Sequence, residues 1–145
     1  MTLYTCEFPL PPRACSPNVK PGTRGAAHGK WSATRLYRDK CGIMARAAVR
    51  ETRLPTAASR AVLHLAFYYA PSRIGHRTIR DRLYRALDAA NALSSVKALQ
   101  DSLVDAGVLV ADDHRHLSIG RVELYRRAEE HKGRCCVEVT LEVEE

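Results

Sequence analysis

The sequence predicts a single α+β domain over residues 1–145, with a mixed or antiparallel sheet and the element order β-α-β-α-β-β. Three observations predict this class. The length of 145 residues suits one domain with a sizeable core. Two long stretches place apolar residues at helical spacing. The other apolar stretches are short and rich in β-branched and aromatic residues, as strands are.

Residues 1–29 are expected to form a first strand followed by a loop. The stretch from Thr2 to Phe8 has the composition of a short strand, and the proline cluster that follows ends it. Residues 13–29 are rich in proline, glycine and basic residues, which is typical of a loop.

A first helix is predicted from Lys30 to about Thr52. Four positions recur there near helical spacing, and Arg35, Arg38, Arg46 and Arg53 occupy other faces. The recurring positions are Leu36, Ile43, Ala47 and Arg50. The Leu54-Pro55 pair ends the helix, because the residue before a proline is disfavoured in the helical conformation.

A central strand and a basic segment follow. Residues 61–70, AVLHLAFYYA, are a compact apolar run of the kind found inside a sheet. Residues 71–87 form a basic segment, and their pattern leaves loop and partial helix both open. Its arginines are the best candidates for contacts with DNA phosphates. They are Arg73, Arg77, Arg80, Arg82 and Arg85.

A second helix is predicted to run to Ala106. Ser94 or Ser95 is expected to cap its start, and Gly107 to stop it. Its inward face would hold Val96, Leu99 and Leu103.

Two further strands are predicted at 117–127 and 134–143, on either side of the turn AEEHKG. The last strand alternates between apolar and polar residues, so we expect its apolar side chains to face the core. They are Val137, Val139, Leu141 and Val143.

The net charge of +7 is divided unevenly along the chain. Residues 1–87 hold 16 Lys and Arg against 4 Asp and Glu, whereas residues 88–145 hold 7 against 12. A half this basic attracts polyanions, of which nucleic acid is the commonest, although a solubilising surface has the same composition. Carboxylates gathered beside a phosphate-binding surface repel phosphates unless a divalent cation lies between them.

The cysteines and the apolar runs limit the class of protein. The 5 cysteines include no CxxC pair, so neither a disulfide framework nor a structural zinc site is indicated. No apolar run approaches the roughly 20 residues that span a bilayer, and the N-terminus has no secretory pattern. We therefore expect a cytoplasmic protein with no membrane partner. The absence of a Gly-rich phosphate loop predicts that no nucleotide cofactor is bound.

Residues 88–113 combine acidic side chains with one lysine. Asp88 precedes the second helix, Lys97 and Asp101 lie one helical turn apart, and the pair Asp112-Asp113 follows the helix. Carboxylates that converge from separate elements are what a hard cation such as Mg²⁺ requires. That ion lowers the pKa of a bound water, and a nearby lysine stabilises charge on a phosphate. A salt-bridged surface helix followed by an acidic turn has the same pattern.

This region resembles the signature of the RusA family, the phage-type Holliday junction resolvases. The matching positions are Asp88, Asn91, Lys97, Ala98, Asp101, Leu103, Ala106, Gly107 and Asp112-Asp113. The opening LPPRACSPN, the stretch WSATRLYRDK and the basic segment also resemble the family, so the likeness covers most of the chain. Ala90 stands where the family has its second aspartate, and three extra residues separate Asn91 from Lys97.

The resemblance implies a RusA-like fold and a homodimer. It implies a structure-selective endodeoxyribonuclease that resolves four-way junctions by Mg²⁺-dependent phosphodiester hydrolysis, with Mn²⁺ as an alternative ion. The setting it implies is DNA recombination and repair in a bacterial cell, from a phage or prophage gene. The catalytic residues would be Asp88, Lys97 and Asp113. The metal ligands would be Asp88, Asp101, Asp112 and Asp113, where Asp101 or Asp112 replaces the carboxylate missing at Ala90.

Other interpretations of the same residues remain open. One is a catalytically eroded protein of this fold that binds branched DNA, and another is a phage assembly or regulatory protein that uses the basic half alone. His114 and His116 offer a separate cluster for zinc or manganese. His64 is expected to be a hydrogen-bonded core residue. Three aromatic residues would either stack on exposed bases or pack in the core: Trp31, Tyr37 and Tyr125.

Overall fold

The computed structural model describes residues 1–16, 22–69, 72–74, 77–79 and 89–144, and its central feature is a four-stranded mixed sheet. The described residues form six strands in all: β1 (Thr2–Phe8), β2 (Ala61–Tyr69), β3 (Ser72–Ile74), β4 (Arg77–Ile79), β5 (Leu117–Arg127) and β6 (Cys136–Val143). The four-stranded sheet has the order β1-β6-β2-β5, and β3 pairs with β4 in a separate hairpin. The pairs β1–β6 and β6–β2 are antiparallel, and β2–β5 is parallel. The predicted α+β class with a mixed sheet is confirmed.

The strand β2 lies inside the sheet, as its apolar composition predicts. It pairs with β6 on one side and β5 on the other. Alternate residues of β2 and β6 are buried on one face of the sheet, where they form the core. They are Leu63, Leu65, Phe67, Val137, Val139 and Leu141. The predicted inward face of the last strand is therefore confirmed, with Val143 only partly buried at its end.

Three helices belong to the described part of the chain, and their buried residues join the same core. They are α1 (Arg24–Arg50), α2 (Ala89–Ser95) and α3 (Lys97–Asp105). The long helix α1 packs against α3 and β1. In the described residues, no helix has the combination of length and apolar character that crossing a bilayer requires.

The helix α1 begins earlier than predicted, at Arg24 rather than Lys30. The Thr23 side chain accepts a hydrogen bond from the Ala26 backbone N–H at 3.1 Å and so caps the first turn. The glycines of this stretch do not prevent helix formation, because a capped helix of 27 residues tolerates their cost. The predicted loop over residues 13–29 is wrong from Arg24 onward.

The buried face of α1 also differs from the predicted one. Leu36 is 70% exposed and Ile43 is 62% exposed. The buried residues are Tyr37, Cys41, Gly42, Ala45 and Ala48. Most of these side chains are small, which lets the helix backbone approach its neighbours closely. Burial follows the spacing of the small residues rather than that of the large apolar ones.

The predicted second helix is two helices that meet at Val96, and neither serine caps a helix there. Ser95 lies within the last turn of α2, where its hydroxyl donates to the Ala92 carbonyl oxygen at 2.7 Å. Such back-bonding satisfies a buried hydroxyl inside a helix and leaves no side-chain cap. The predicted apolar face and the stop at Gly107, whose φ is 73°, are both confirmed.

The segment that follows α3, from Gly107 to Val110, is hydrogen-bonded through its backbone to the residues that precede β2. Ala57 N–H donates to the Gly107 carbonyl oxygen at 2.7 Å, and Ala58 N–H donates to that of Val108 at 2.9 Å. Val110 N–H returns a bond to the Ala58 carbonyl oxygen at 3.1 Å. The chain that leaves α3 is therefore held against the start of β2 before it enters β5.

The strands on either side of the turn AEEHKG are not neighbours, because β2 lies between β5 and β6. The turn itself contains a short 3-10 helix at Ala128–His131. Within the basic segment, the prediction of a loop or partial helix is wrong for the described residues, which form the hairpin β3–β4 with Arg73 and Arg77 in its two strands. Arg80, Arg82 and Arg85 lie outside the described residues.

A bulge in β5 brings its backbone against His64 of β2. Gly120 and Arg121 together lie opposite His64, and Arg121 N–H donates to His64 Nδ1 at 2.8 Å. This bond leaves the ring hydrogen on Nε2, which lies 3.2 Å from a Glu142 carboxylate oxygen. His64 is hydrogen-bonded as predicted, but it is partly exposed and is not a core residue. It lies on the face of the sheet that carries Glu138, Thr140 and Glu142, which we call the polar face.

The close approach at Gly120 predicts a stability effect. A Cβ at this position would lie 2.6 Å from His64 Nδ1 and 2.8 Å from Val62 Cγ1. We expect Gly120→Ala to lower the free energy of unfolding by about 1–3 kcal/mol, because the ring must move and release the Arg121 N–H. Gly29→Ala is the control, since its Cβ meets nothing within 4 Å on exposed α1 and should raise stability by about 0.5–1 kcal/mol. Urea denaturation measures the free energy of unfolding of both variants and of wild type. A Gly120→Ala variant as stable as wild type would contradict the predicted steric clash.

Candidate functional site

Lys97 lies between two carboxylates that different segments contribute. Its Nζ donates to Asp101 Oδ1, one turn further along α3, at 2.8 Å. The same ammonium donates to Asp112 Oδ2, which comes from the loop after the helix. Three of the predicted site residues are thus brought together around one positive charge.

Arg38 of α1 extends this cluster from the neighbouring helix. Its guanidinium makes a bidentate pair with Asp105, with bonds of 2.6 and 2.8 Å. Its Nη1 also lies 3.5 Å from Asp101 Oδ2. Asp101 therefore lies between a lysine and an arginine, and two carboxylates of α3 are paired with the basic helix.

The pKa values follow these contacts. Partial burial lowers the pKa of Lys97, but its hydrogen bonds to Asp101 and Asp112 outweigh burial and raise the pKa above its ordinary value. The hydrogen bond from Lys97 lowers the pKa of Asp112. The Arg38 guanidinium likewise holds the pKa of Asp105 below its usual range. All three groups are charged at neutral pH.

A cleft of about 370 Å³ opens beside the cluster, between α1 and the two shorter helices. Lys97, Asp101, Arg35 and Arg38 line it, together with Trp31. The Trp31 side chain is 59% exposed, and the Arg35 guanidinium carbon lies 5.6 Å from the centre of its ring. The cleft therefore combines a flat aromatic surface with cationic groups.

Of the other two predicted aromatic residues, Tyr37 is a core residue. It is 5% exposed, and its hydroxyl donates to the Pro9 carbonyl oxygen at 2.8 Å. The side chain of Tyr125 lies outside the described residues.

Asp113 points to a different partner from Asp112. Its Oδ1 lies 2.7 Å from His116 Nδ1 and accepts a hydrogen bond from Arg115 N–H at 2.8 Å. The hydrogen bond from His116 lowers the pKa of this carboxyl, which is 51% exposed. Asp88, the fourth predicted ligand, lies outside the described residues.

The described residues bring one set of three potential metal ligands within 4.8 Å of one another, and it lies elsewhere. It consists of Glu7, His131 and Cys136. Neither the predicted aspartates nor His114 and His116 form such a set within the described ranges. Sequence reasoning missed it because Glu7 is far from the other two along the chain and no CxxC or HxxxH spacing marks it.

The cluster around Lys97 offers two carboxylates, which are ligands of the kind that Mg²⁺ prefers. Mg²⁺ commonly takes one or two protein carboxylates and completes its shell with water and substrate phosphate. Asp101 and Asp112 supply two carboxylates that already share a cation, the Lys97 ammonium. These two residues are therefore the ones in the described cluster that could hold Mg²⁺.

No family model matches the chain, and no curated protein matches it. The resemblance to the RusA family therefore stays a prediction.

The charges around Lys97 predict a pH dependence of stability. The lowered pKa of Asp112 contributes stability that is complete above about pH 4 and is lost as the pH falls through its folded pKa. The raised pKa of Lys97 contributes stability that is complete below about pH 10 and is lost as the pH rises through its folded pKa. We expect Lys97→Met to cost about 1 kcal/mol at neutral pH, since it removes two partly exposed ion pairs.

Thermal unfolding of Lys97→Met and wild type from pH 3 to pH 8 measures this cost. The difference should start to shrink below about pH 4 and continue to shrink as the pH falls through the lowered pKa of Asp112, where the carboxyl is protonated and no longer pairs with the lysine. Lys40→Met, which removes an exposed lysine of α1, is the control. A difference that is constant with pH would show that the lysine stabilises the fold by packing alone.

Proposed function

We propose that the chain is a metal-dependent endonuclease that cuts branched DNA, with Lys97, Asp101 and Asp112 at the centre of its active site. One observation carries the proposal. The Lys97 ammonium lies between carboxylates of two separate segments, beside a cleft with cationic and aromatic walls. Anionic ligands for a cation and positive groups for a phosphate are the two components that phosphodiester hydrolysis needs.

Each residue has a role that its position supports. Asp101 and Asp112 would hold Mg²⁺, which supplies an activated water and offsets charge on the scissile phosphate. Lys97 is within reach of both carboxylates and stabilises the negative charge that grows on the phosphate. Asp88 and Asp113 are the other two predicted ligands, and the Asp113 carboxylate would have to leave its contacts with His116 and the Arg115 N–H to reach the same ion.

The surroundings of the cluster suit a nucleic-acid substrate. The cleft places Arg35 near Lys97, where its guanidinium can contact a phosphate beside the scissile bond, whereas Arg38 is paired with Asp105 and Asp101. Trp31 offers an exposed ring on which an unpaired base can stack, as bases at a branch point do. Arg73 and Arg77, which lie in the hairpin β3–β4, stay candidates for DNA contacts because the sequence pattern of the basic segment predicts them.

A four-way junction has two-fold symmetry, so paired cuts on opposing strands need two active sites related by a dyad. We therefore propose a C2 homodimer. The exposed apolar side chains of Leu36 and Ile43 on α1 are candidates for the contact between the two copies.

The proposal predicts which acidic residue is needed for cleavage. A labelled four-way junction is incubated with Mg²⁺ and either wild type, Asp112→Asn or Lys97→Met. We expect nicking by wild type and a loss of at least about 100-fold in each variant, because each removes charge that acts on the transition state. Junction binding in Ca²⁺ should persist in both variants.

Glu144→Gln is the matched control, since it removes a carboxylate that also pairs with a basic residue, Arg60, but lies at the end of β6. It should cut like wild type. Junction binding without nicking by wild type would support the eroded DNA-binding protein instead. Equal binding to branched and linear DNA would support a protein that uses only its basic half.

A second prediction concerns the salt dependence of DNA binding. Each arginine that contacts a phosphate releases about one counterion, so Arg35→Ala should reduce the slope of log Kd against log salt by about one. Arg53→Ala should leave the slope unchanged, because Arg53 is already paired with Glu51. Fluorescence anisotropy with a labelled junction at several salt concentrations measures both slopes. An unchanged slope in Arg35→Ala would place the DNA away from this cleft.

A further inference from the structure

We propose that Glu7, His131 and Cys136 bind one Zn²⁺ ion on the polar face of the sheet, at the end of the β1–β6 pair. Ligand atoms of these three residues all lie within 4.8 Å of one another. They come from three elements: β1, the 3-10 helix at Ala128–His131, and the first residue of β6. This site is separate from the Lys97 cluster and does not depend on the proposed nuclease activity.

The strand pairing explains how the three residues meet. Glu7 lies opposite Glu138 in the β1–β6 pair, and Cys136 lies opposite Tyr68 in the β6–β2 pair. Cys136 and Glu138 alternate with the core residue Val137, so they point to the other face of the sheet. The 3-10 helix returns the chain over this face and places His131 Nε2 at 2.7 Å from Glu7 Oε1.

The donor set selects the ion. A thiolate, an imidazole and a carboxylate together favour zinc and disfavour Mg²⁺ and Ca²⁺, which prefer oxygen ligands alone. Tetrahedral zinc has bonds of about 2.0–2.3 Å, which places its ligand atoms about 3.3–3.8 Å apart. The ligand atoms of Glu7, His131 and Cys136 lie within 4.8 Å of one another, so small side-chain rotations bring them to the separations that zinc requires. Three protein ligands leave a fourth position for water or another ligand.

The surroundings hold the ligands in position. The His131 ring stacks on the buried ring of Tyr68, with centroids 4.3 Å apart. Its second nitrogen, Nδ1, lies 3.8 Å from Glu138 Oε2, and a carboxylate near the distal nitrogen orients a metal-binding histidine. Arg134 Nη2 donates to Glu7 Oε1 at 2.7 Å and so orients the carboxylate. Cys136 is 5% exposed, which keeps competing ligands away from its sulfur.

The neighbouring residue Cys135 supplies a matched control for the test. It is exposed, whereas Cys136 is buried, so the same substitution can be made with and without loss of a ligand. The full chain is stripped of metal and titrated with Zn²⁺ against a chromophoric chelator, and with Co²⁺ to detect the thiolate-to-cobalt charge-transfer band. We expect one ion per chain for wild type and Cys135→Ser, with no displacement by excess Mg²⁺.

Cys136→Ser should lower zinc affinity at least about 100-fold and abolish the charge-transfer band. Glu138→Gln should lower affinity about 10-fold, because it removes only the orienting carboxylate. Zinc should raise the Tm of wild type and of Cys135→Ser but not of Cys136→Ser. Should Cys136→Ser fail to fold by circular dichroism, His131→Gln takes its place with the same expected loss of affinity.

The proposal is overturned by equal zinc affinity in wild type and Cys136→Ser, or by a charge-transfer band that disappears in Cys135→Ser instead. Binding of Mg²⁺ in competition with Zn²⁺ would also overturn it. Junction cleavage is not a readout in this test, so its result is independent of the proposed nuclease.

Discussion

The parallel pairing of β2 with β5 is the constraint on which the rest of the structure depends. Parallel neighbours cannot be joined by a tight turn, so the chain between them must cross over the sheet. That crossover contains α2, α3 and the link from Gly107 to Val110. The link is bonded to Ala57 and Ala58 at the start of β2, which fixes where the chain leaves α3. As a result, Asp112 comes back to the first turn of α3 and contacts Lys97.

The basic and acidic halves of the chain form ion pairs with each other where α1 packs on α3. The basic half supplies Arg38, and the acidic half supplies Asp101 and Asp105, which it contacts. Lys97 adds a second cation from the acidic half itself. Because these carboxylates lie beside cations, little of their negative charge is left unshielded. Two arginines further along α1, Arg46 and Arg50, are exposed.

The two candidate metal sites differ in ligand chemistry and in position. The Lys97 cluster offers oxygen ligands at a partly exposed edge of the helical layer, which suits a hard ion that keeps its water. The Glu7 set offers sulfur and nitrogen on the opposite, polar face of the sheet, where a buried thiol suits a softer ion. Burial and, after it, the nearby charges of Glu7 and Glu138 together raise the pKa of the Cys136 thiol to about 11. A cation beside the sulfur has the opposite effect.

The sequence pattern predicted four of the six described strands (β1, β2, β5 and β6), the stop at Gly107, the inward face of β6 and the helical spacing that brings Lys97 to Asp101. Each of these depends on neighbours within a few residues, through alternation, backbone conformation or one helical turn. The buried face of α1 depends on tertiary contacts that the sequence pattern does not show. Packing against neighbouring elements buries Cys41, Ala45 and Ala48 and leaves the larger Leu36 and Ile43 exposed. The position of β2 between β5 and β6, and the contact of Glu7 with His131, also appear only in the folded chain. These contacts join residues far apart in the chain, and no local pattern encodes such pairing.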